Sequence, residues 1–388
     1  MTKEKNDDLS ILKQEPFSDC IKQLEELISQ NNRVFLLGAG CSRCAGLPLT
    51  SELTDKVLKK LSTSGGKAEK ILTAIQKQFQ GSTLTTIEDY MSELVDLLAI
   101  AERRKEKNSS KKDISLDGVD YDADMLRDAL AAIKETIAEC LDSKELEIDT
   151  HRQFVTAVHH ILRSGKTEST VPVDYFVLNY DTLIEDALAL ECFSYVDGFT
   201  GGATGWWDTD TFKKHDSIAR VLKVHGSIDW CQLENDLVPR RLRSGGKTCY
   251  KIVPKNKVMI WPASTKYQET QKDPFAQILS IMRQSMRPEL HSEVVLTICG
   301  YRFNDSHINI ELERALKESD GRLTLLAFTE FDRPQGQLEQ WHLDMTITEQ
   351  IRIYAKRGFF HGKVQSSADK DLPWWKFENL TRILGGER

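Results

Sequence analysis

The sequence predicts an α/β fold, a doubly wound parallel sheet with a helical module inserted into it. Three observations carry this expectation. Apolar runs of strand length recur along the chain with helix-periodic segments between them, the alternation expected of a parallel sheet. The first run, Val34 to Leu37, is apolar at every position, as suits a strand covered on both faces, and it leads straight into a glycine-rich turn, Gly38-Ala39-Gly40-Cys41-Ser42. The later strands end in glycines and polar residues, and in an open parallel sheet a ligand sits at the carboxyl ends of the strands.

Taken in order, residues 17–30 place Ile21, Leu24, Leu27 and Ile28 on one helical face. After Pro48, helical periodicity covers 51–61, 67–79 and 86–100, with Thr86 as an N-cap and Ile87, Met91, Leu94 and Leu98 as an apolar stripe. The segment 102–122 is charged and rich in turn residues, which predicts a mobile loop. Helices return at 124–140 and 150–163, so that 50–164 reads as a helical module between the first and second strands of the sheet. Strand patterns follow at 173–178, 221–224, 258–261, 294–299, 323–328 and 350–354, with helices at 182–190, 274–286 and 306–317. The chain thus divides into a tail and helix at 1–33, a sheet domain at 34–330 carrying the module, and a C-terminal segment at 331–388.

With 388 residues, 40% of them hydrophobic, the chain can bury a substantial core. Lys and Arg number 52 against 59 Asp and Glu, a formal charge of −7, which gives no global attraction to nucleic acid. The N-terminal MTKEKNDDLS is charged and the apolar runs are short, so neither a signal peptide nor a membrane helix is expected, and a cytoplasmic location follows. The eight cysteines are scattered, which suits reduced thiols. Cys41 and Cys44 have metal spacing but lie inside the glycine turn, and Cys231 and Cys249 are too far apart to form a second close pair, so no zinc is expected.

The second strand ends in Leu178-Asn179-Tyr180-Asp181-Thr182, the third in His225-Gly226-Ser227, and a later one in Gly300-Tyr301-Arg302-Phe303-Asn304-Asp305. Each has a plain reading, Asp181, Thr182 and Asp305 as helix caps and His225 as a turn residue. Together at one sheet edge they read as a site, in which the resting pKa of a histidine suits a general base.

GAGCS with the following Gly46-Leu47-Pro48, then LNYD, VHGS and CGYRFND in this order, resembles the Sir2 family. The likeness is greater to the bacterial Sir2-like NADases of anti-phage defence than to protein-deacylating sirtuins. It implies a Rossmann-like fold in which Gly38, Ala39, Gly40 and Ser42 cradle the pyrophosphate of NAD, with Gly46, Pro48 and Gly226 among the NAD-binding positions. It also implies that Asn179 and Asp181 face the nicotinamide ribose, that His225 is the catalytic histidine, and that Gly300 and Asp305 lie beside the adenosine half. Two departures bear on the reaction. Leu49-Thr50-Ser51 follows Pro48 where sirtuins carry Asp-Phe-Arg, and the sirtuin zinc tetrad, which helps to shape an acyl-lysine groove, is missing.

The activity implied is therefore NAD+ hydrolysis to nicotinamide and ADP-ribose, with NAD as substrate and NAD+ depletion as the defence effect. Implied partners are further copies of the chain and a separately encoded hexameric ATPase of the HerA type. The alternatives are an NAD- or ADP-ribose-binding module that regulates such an ATPase, and a protein deacylase. Two stretches stand apart from the motifs. Residues 239–257 are basic with no acidic residue, which suits a solvated hairpin, a nucleic-acid contact or an acidic partner surface, and Trp341, Trp374 and Trp375 are candidates for a self-association surface.

Overall fold

The computed structural model describes residues 7–30, 32–81, 85–142, 145–159, 171–202, 204–213, 216–233, 236, 238–242, 254–259 and 273–387. Its strands in chain order are β1 (Arg33–Leu37), the hairpin β2 (Ile114–Leu116) and β3 (Val119–Tyr121), β4 (Val173–Val177), β5 (Tyr195–Val196), β6 (Phe199–Thr200), β7 (Thr204–Trp207) and β8 (Ala219–Lys223). There follow β9 (Gly226–Leu233), β10 (Arg240–Leu242), β11 (Pro254–Met259), β12 (Val294–Cys299), β13 (Leu323–Thr329), β14 (Ile351–Ala355), β15 (Gly358–His361) and β16 (Val364–Ser367). The α-helices are α1 (Phe17–Ile28), α2 (Thr50–Ser64), α3 (Lys67–Gln78), α4 (Ile87–Glu106), α5 (Ala123–Leu141), α6 (Asp149–His159) and α7 (Leu183–Leu190). They continue with α8 (Phe275–Ser285), α9 (Ser306–Glu318), α10 (Gln337–Leu343) and α11 (Phe377–Leu384).

The central sheet has the order β16-β15-β14-β13-β12-β1-β4-β8-β5 and is parallel except at β14–β15 and β15–β16. The fully apolar β1 serves two cores at once, because successive side chains of a strand point to opposite faces. Val34 and Leu36 pack with α8, α9 and α10, whereas Phe35 and Leu37 pack with α1, α6, α7 and α11. From β1 the chain runs to β4, β8 and β5 on one side, then returns to β12, β13 and β14 on the other. This is the doubly wound, Rossmann-like arrangement, with its switch point between β1 and β12.

The helical module is a unit with its own core. Helices α2 to α5 and the β2–β3 hairpin bury Val57, Ile71, Ile75, Met91, Leu94, Leu126 and Ile133 against one another. Thr86 caps α4 as expected, in a capping box with Asp89. Helix α6 differs from expectation, because Phe154, Val155 and Val158 belong to the sheet's core rather than the module's. The expected loop at 102–122 is also corrected. Helix α4 continues to Glu106, and the hairpin that follows buries Ile114, Leu116 and Tyr121, three apolar anchors hidden among charges.

Two further corrections concern the C-terminal half. Strands β14 to β16 complete the central sheet, so the sheet domain does not end near 330. Trp341 and Trp374 are 1% and 0% exposed, and the Trp374 indole donates to the Ala355 carbonyl at 2.7 Å. They are core residues, which removes them as an association surface.

An antiparallel second sheet, ordered β11-β9-β10-β7-β6, was not anticipated. It holds the described part of the basic run, where Arg240 pairs with Asp236, Arg241 with Asp197, and the Lys257 ammonium donates to the Ile228 carbonyl. Residues 243–253 of that run lie outside the described residues, as do 260–261 of the strand expected at 258–261. Among the described residues no helix is long and apolar enough to cross a membrane.

Candidate active site

The register of the central sheet aligns the motif residues. Leu37 lies level with Cys299 on one side and Val177 on the other, and Val177 is level with Lys223. The residues just beyond these four, Gly38 to Ser42, Gly300 to Asp305, Leu178 to Asp181 and Val224 to Ser227, therefore emerge along one edge. His225 has a special place in that row. It turns the chain between β8 of the central sheet and β9 of the second sheet, and Gly226 at φ 85° lets β11 approach within a distance that a Cβ would forbid.

The glycine turn is tighter than expected. After Gly38 the chain winds into a 3-10 helix, Ala39–Ala45. The amides of Gly38 and Gly40, expected to face a pyrophosphate, donate instead to the carbonyls of Cys299 and Gly300 at 2.9 and 3.0 Å. The reason these positions need glycine is the close approach of the two turns, since a Cβ on Gly38 would lie 2.4 Å from the Gly300 carbonyl oxygen. Ala39 is exposed and Gly40 half-buried at the rim, Gly46 ends the turn at φ 90°, and Pro48 leads into α2.

Below the rim lies a buried network that assigns every proton. The Ser42 hydroxyl donates to Asp181 Oδ2 at 2.7 Å, and Asn179 Nδ2 lies 2.6 Å from Ser42 Oγ and 3.0 Å from the Gly38 carbonyl oxygen. A carboxylate and a carbonyl only accept. Ser42 must therefore spend its proton on Asp181 and accept from Asn179, whose two N–H bonds are then both used. The Asn179 carbonyl oxygen Oδ1 takes no part in these bonds. Ser42, expected in the pyrophosphate cradle, is thus 4% exposed and bonded to Asn179 and Asp181.

Asp181 is also held from behind. Its Oδ1 accepts from the Leu183 amide at 3.2 Å at the start of α7, whose N-cap is Thr182 without a side-chain cap bond, and its carbonyl accepts from the Lys223 ammonium. Lys223, 1% exposed, lies 3.7 Å from Glu185. Asp305 stands at the N-cap of α9 but makes no side-chain cap bond there.

Three buried polar residues at this edge carry no motif signal. His151 on α6 is 1% exposed, its Nδ1 has no hydrogen-bond partner among the described residues, and burial holds its pKa down at about 4 although the Asp181 carboxylate opposes this, so it is neutral at physiological pH. A histidine within the apolar stripe of α6, with Phe154, Val155 and Val158, was the available signal. Lys223, a cation inside the strand Val221 to Val224, was another. The third is His307, whose ring centre lies 5.5 Å from that of His225.

Burial pushes the Glu185 pKa up to about 8, with Lys223 pulling the other way. The folded state therefore keeps this proton up to about pH 8, while the unfolded chain releases it near the ordinary glutamate value. The stability contributed by holding the proton is complete below the unfolded pKa and is lost as pH rises through the folded one. Urea midpoints for the wild type are expected to fall between about pH 5 and pH 8 relative to those of Glu185→Gln, which has no proton to lose. Parallel curves would contradict this.

Among the described residues no group of three His, Cys, Asp or Glu side chains is arranged to hold a metal. Cys41 is buried and donates to the Cys299 carbonyl at 3.2 Å, while Cys249 lies outside the described residues. The family model described as a SIR2-like domain matches residues 174–348. That span contains Asn179, Asp181, His225, Gly300 and Asp305, and the match supports NAD-related chemistry in general. The glycine turn precedes it and joins the site through the Ser42 hydroxyl. A search of curated proteins gives no match.

Proposed function

We propose that the chain is an NAD+ glycohydrolase that splits NAD+ into nicotinamide and ADP-ribose, with water as the nucleophile. The observation that carries this reading is the fixed amide of Asn179. Cleavage of the nicotinamide bond leaves an oxocarbenium-like ribose, which is stabilised by anions and by dipoles turned negative end inward. Asn179 presents a preorganised carbonyl oxygen able to accept from a ribose hydroxyl or the attacking water, and Asp181 adds a carboxylate directly behind it. On this reading His225, two residues beyond β8 as Asn179 is two beyond the neighbouring β4, takes the proton of that water.

The biological role that goes with this chemistry is NAD+ depletion as the effector step of bacterial anti-phage defence. Activity is then gated by assembly with further copies and with an ATPase of the HerA type, as the likeness of the motifs suggests. The packing of the module supports such gating. Its core runs through Leu47, Leu183, Ile228 and Met259 to the site's own turns, and beyond burial, which raises the Tyr180 pKa, the charges of Glu88 on α4 and of Asp305 both act on the Tyr180 phenol. A partner that shifts the module thus bears on the cleft.

Incubating purified chain with NAD+, alone, with an acetyl-lysine peptide and with the ATPase, tests the reading. Nicotinamide release independent of peptide, and raised or enabled by the ATPase, is expected. Release only with peptide identifies a deacylase. NAD+ binding with no release in any arm identifies a sensor.

A further inference from the structure

His307, 8% exposed, lies in the first turn of α9, and the reaction as proposed gives it no role. Its contact with His225 is not one that neighbouring strands impose. His225 follows β8 and His307 follows β12, which stand three strand spacings apart, about 14 Å. The loop from Gly300 to Asp305 has to carry the start of α9 across the sheet edge to bring the two rings to 5.5 Å, tilted by 42°.

That loop is built under strain. Gly300 has φ 68° and Phe303 φ 59°, and a bulky side chain is seldom found in the left-handed region. Such a conformation persists only where its surroundings over-determine it, and strained residues of this kind gather at functional sites. The surroundings here are explicit. Asn309 Nδ2 donates to the Phe303 carbonyl at 2.6 Å, the Tyr301 hydroxyl donates to Asn309 Oδ1 at 2.9 Å, and the Asp305 amide donates to the Tyr301 oxygen at 3.1 Å. The Phe303 ring is wedged between Tyr301 and Trp341, at 4.8 and 5.8 Å.

We propose that His307 is a positioning residue whose ring, delivered by this strained loop, holds the His225 imidazole in its working orientation. The proposal rests on the hydrolase reading. A general base on a turn between two sheets needs such a wall, because a misplacement of about 1 Å costs roughly a hundredfold in rate. The His307 ring supplies it without touching the substrate.

His307→Ala, which removes the ring, and His307→Phe, which keeps a flat ring there, test the idea together. In NAD+ hydrolysis the alanine variant is expected to lose about 10- to 100-fold in kcat with KM nearly unchanged, and the phenylalanine variant to recover most of that loss. In parallel, the ring signals of His225 in 15N-histidine NMR should move in His307→Ala and stay near the wild-type position in His307→Phe. Unchanged kcat in the alanine variant, a change confined to KM, or a phenylalanine variant no better than alanine would each overturn the assignment. A wild type that releases no nicotinamide in any condition overturns the hydrolase reading instead, and the positioning role then stands or falls on the NMR comparison alone.

Discussion

Asn179→Ala and His225→Ala are each expected to lower nicotinamide release by about 10²- to 10⁴-fold, the usual worth of a positioned acid or base group. The two variants fail for different reasons. Without Asn179 the site loses its inward carbonyl oxygen, and the Gly38 carbonyl and Ser42 hydroxyl lose a shared partner. Leaving buried acceptors unmade costs about 1–3 kcal/mol, so a lowered melting temperature should accompany an unchanged circular dichroism spectrum. Asn179→Asp is the sharper variant, because a carboxylate of the same shape has no proton to give the Gly38 carbonyl. It should be as inactive as alanine. Without His225 the water keeps its proton, and because the ring is 4% exposed and packs against His307 its removal also leaves a cavity, so a lowered melting temperature is expected here as well. Residual rates above about a tenth of wild type in either alanine variant would remove that residue from the chemistry.

Gly38→Ala is expected to have the largest effect on stability. The added Cβ would lie 2.4 Å from the Gly300 carbonyl oxygen and 2.8 Å from both Gly300 C and Tyr301 Cα. All three are backbone atoms of the neighbouring turn, so no rotamer change relieves the contact, and β1 has to part from β12 where their two turns meet. A cost of about 3 kcal/mol, at the upper end for overpacking, is expected, with loss of NAD+ binding because the turn carries Ser42. Gly46→Ala is the control. Gly46 at φ 90° has nothing within 4 Å of an added Cβ, so only the left-handed backbone penalty of about 1 kcal/mol applies. Urea midpoints that fall equally in the two variants would contradict the close-approach account.

Strands β1, β4, β8, β12, β13 and β14 of the central sheet were legible in the sequence because they read as largely apolar runs, whereas β5, β15 and β16 towards its edges were not anticipated. The candidate residues Asn179, His225 and Gly300 stood out because each follows one of those apolar runs closely, and the sheet register brings them to one edge. Other features gave weaker signals. Strands β6, β7 and β10 have two to four residues, too few to display a period of two, and they pair across intervals that local pattern does not reveal. The β2–β3 hairpin was masked by the charges around Ile114, Leu116 and Tyr121. The glycine turn was placed correctly, yet its physical reason is the approach of Gly300 from a strand more than 250 residues away in the sequence. Sequence separation also hides the role of Ser42, whose partners Asn179 and Asp181 lie 137 and 139 residues away, and that of His307, whose ring meets His225 from the far side of a loop.

The central claim is that water attacks the nicotinamide ribose at the edge formed by Asn179, Asp181 and His225. The most direct measurement is turnover of NAD+ by the chain, with and without the proposed ATPase, in H₂¹⁸O, with products resolved by mass spectrometry. The account predicts nicotinamide and ADP-ribose in equal amounts, one ¹⁸O on each ADP-ribose, and no requirement for an acylated peptide. Nicotinamide formed only with an acylated peptide, together with an acylated ADP-ribose product, would contradict it.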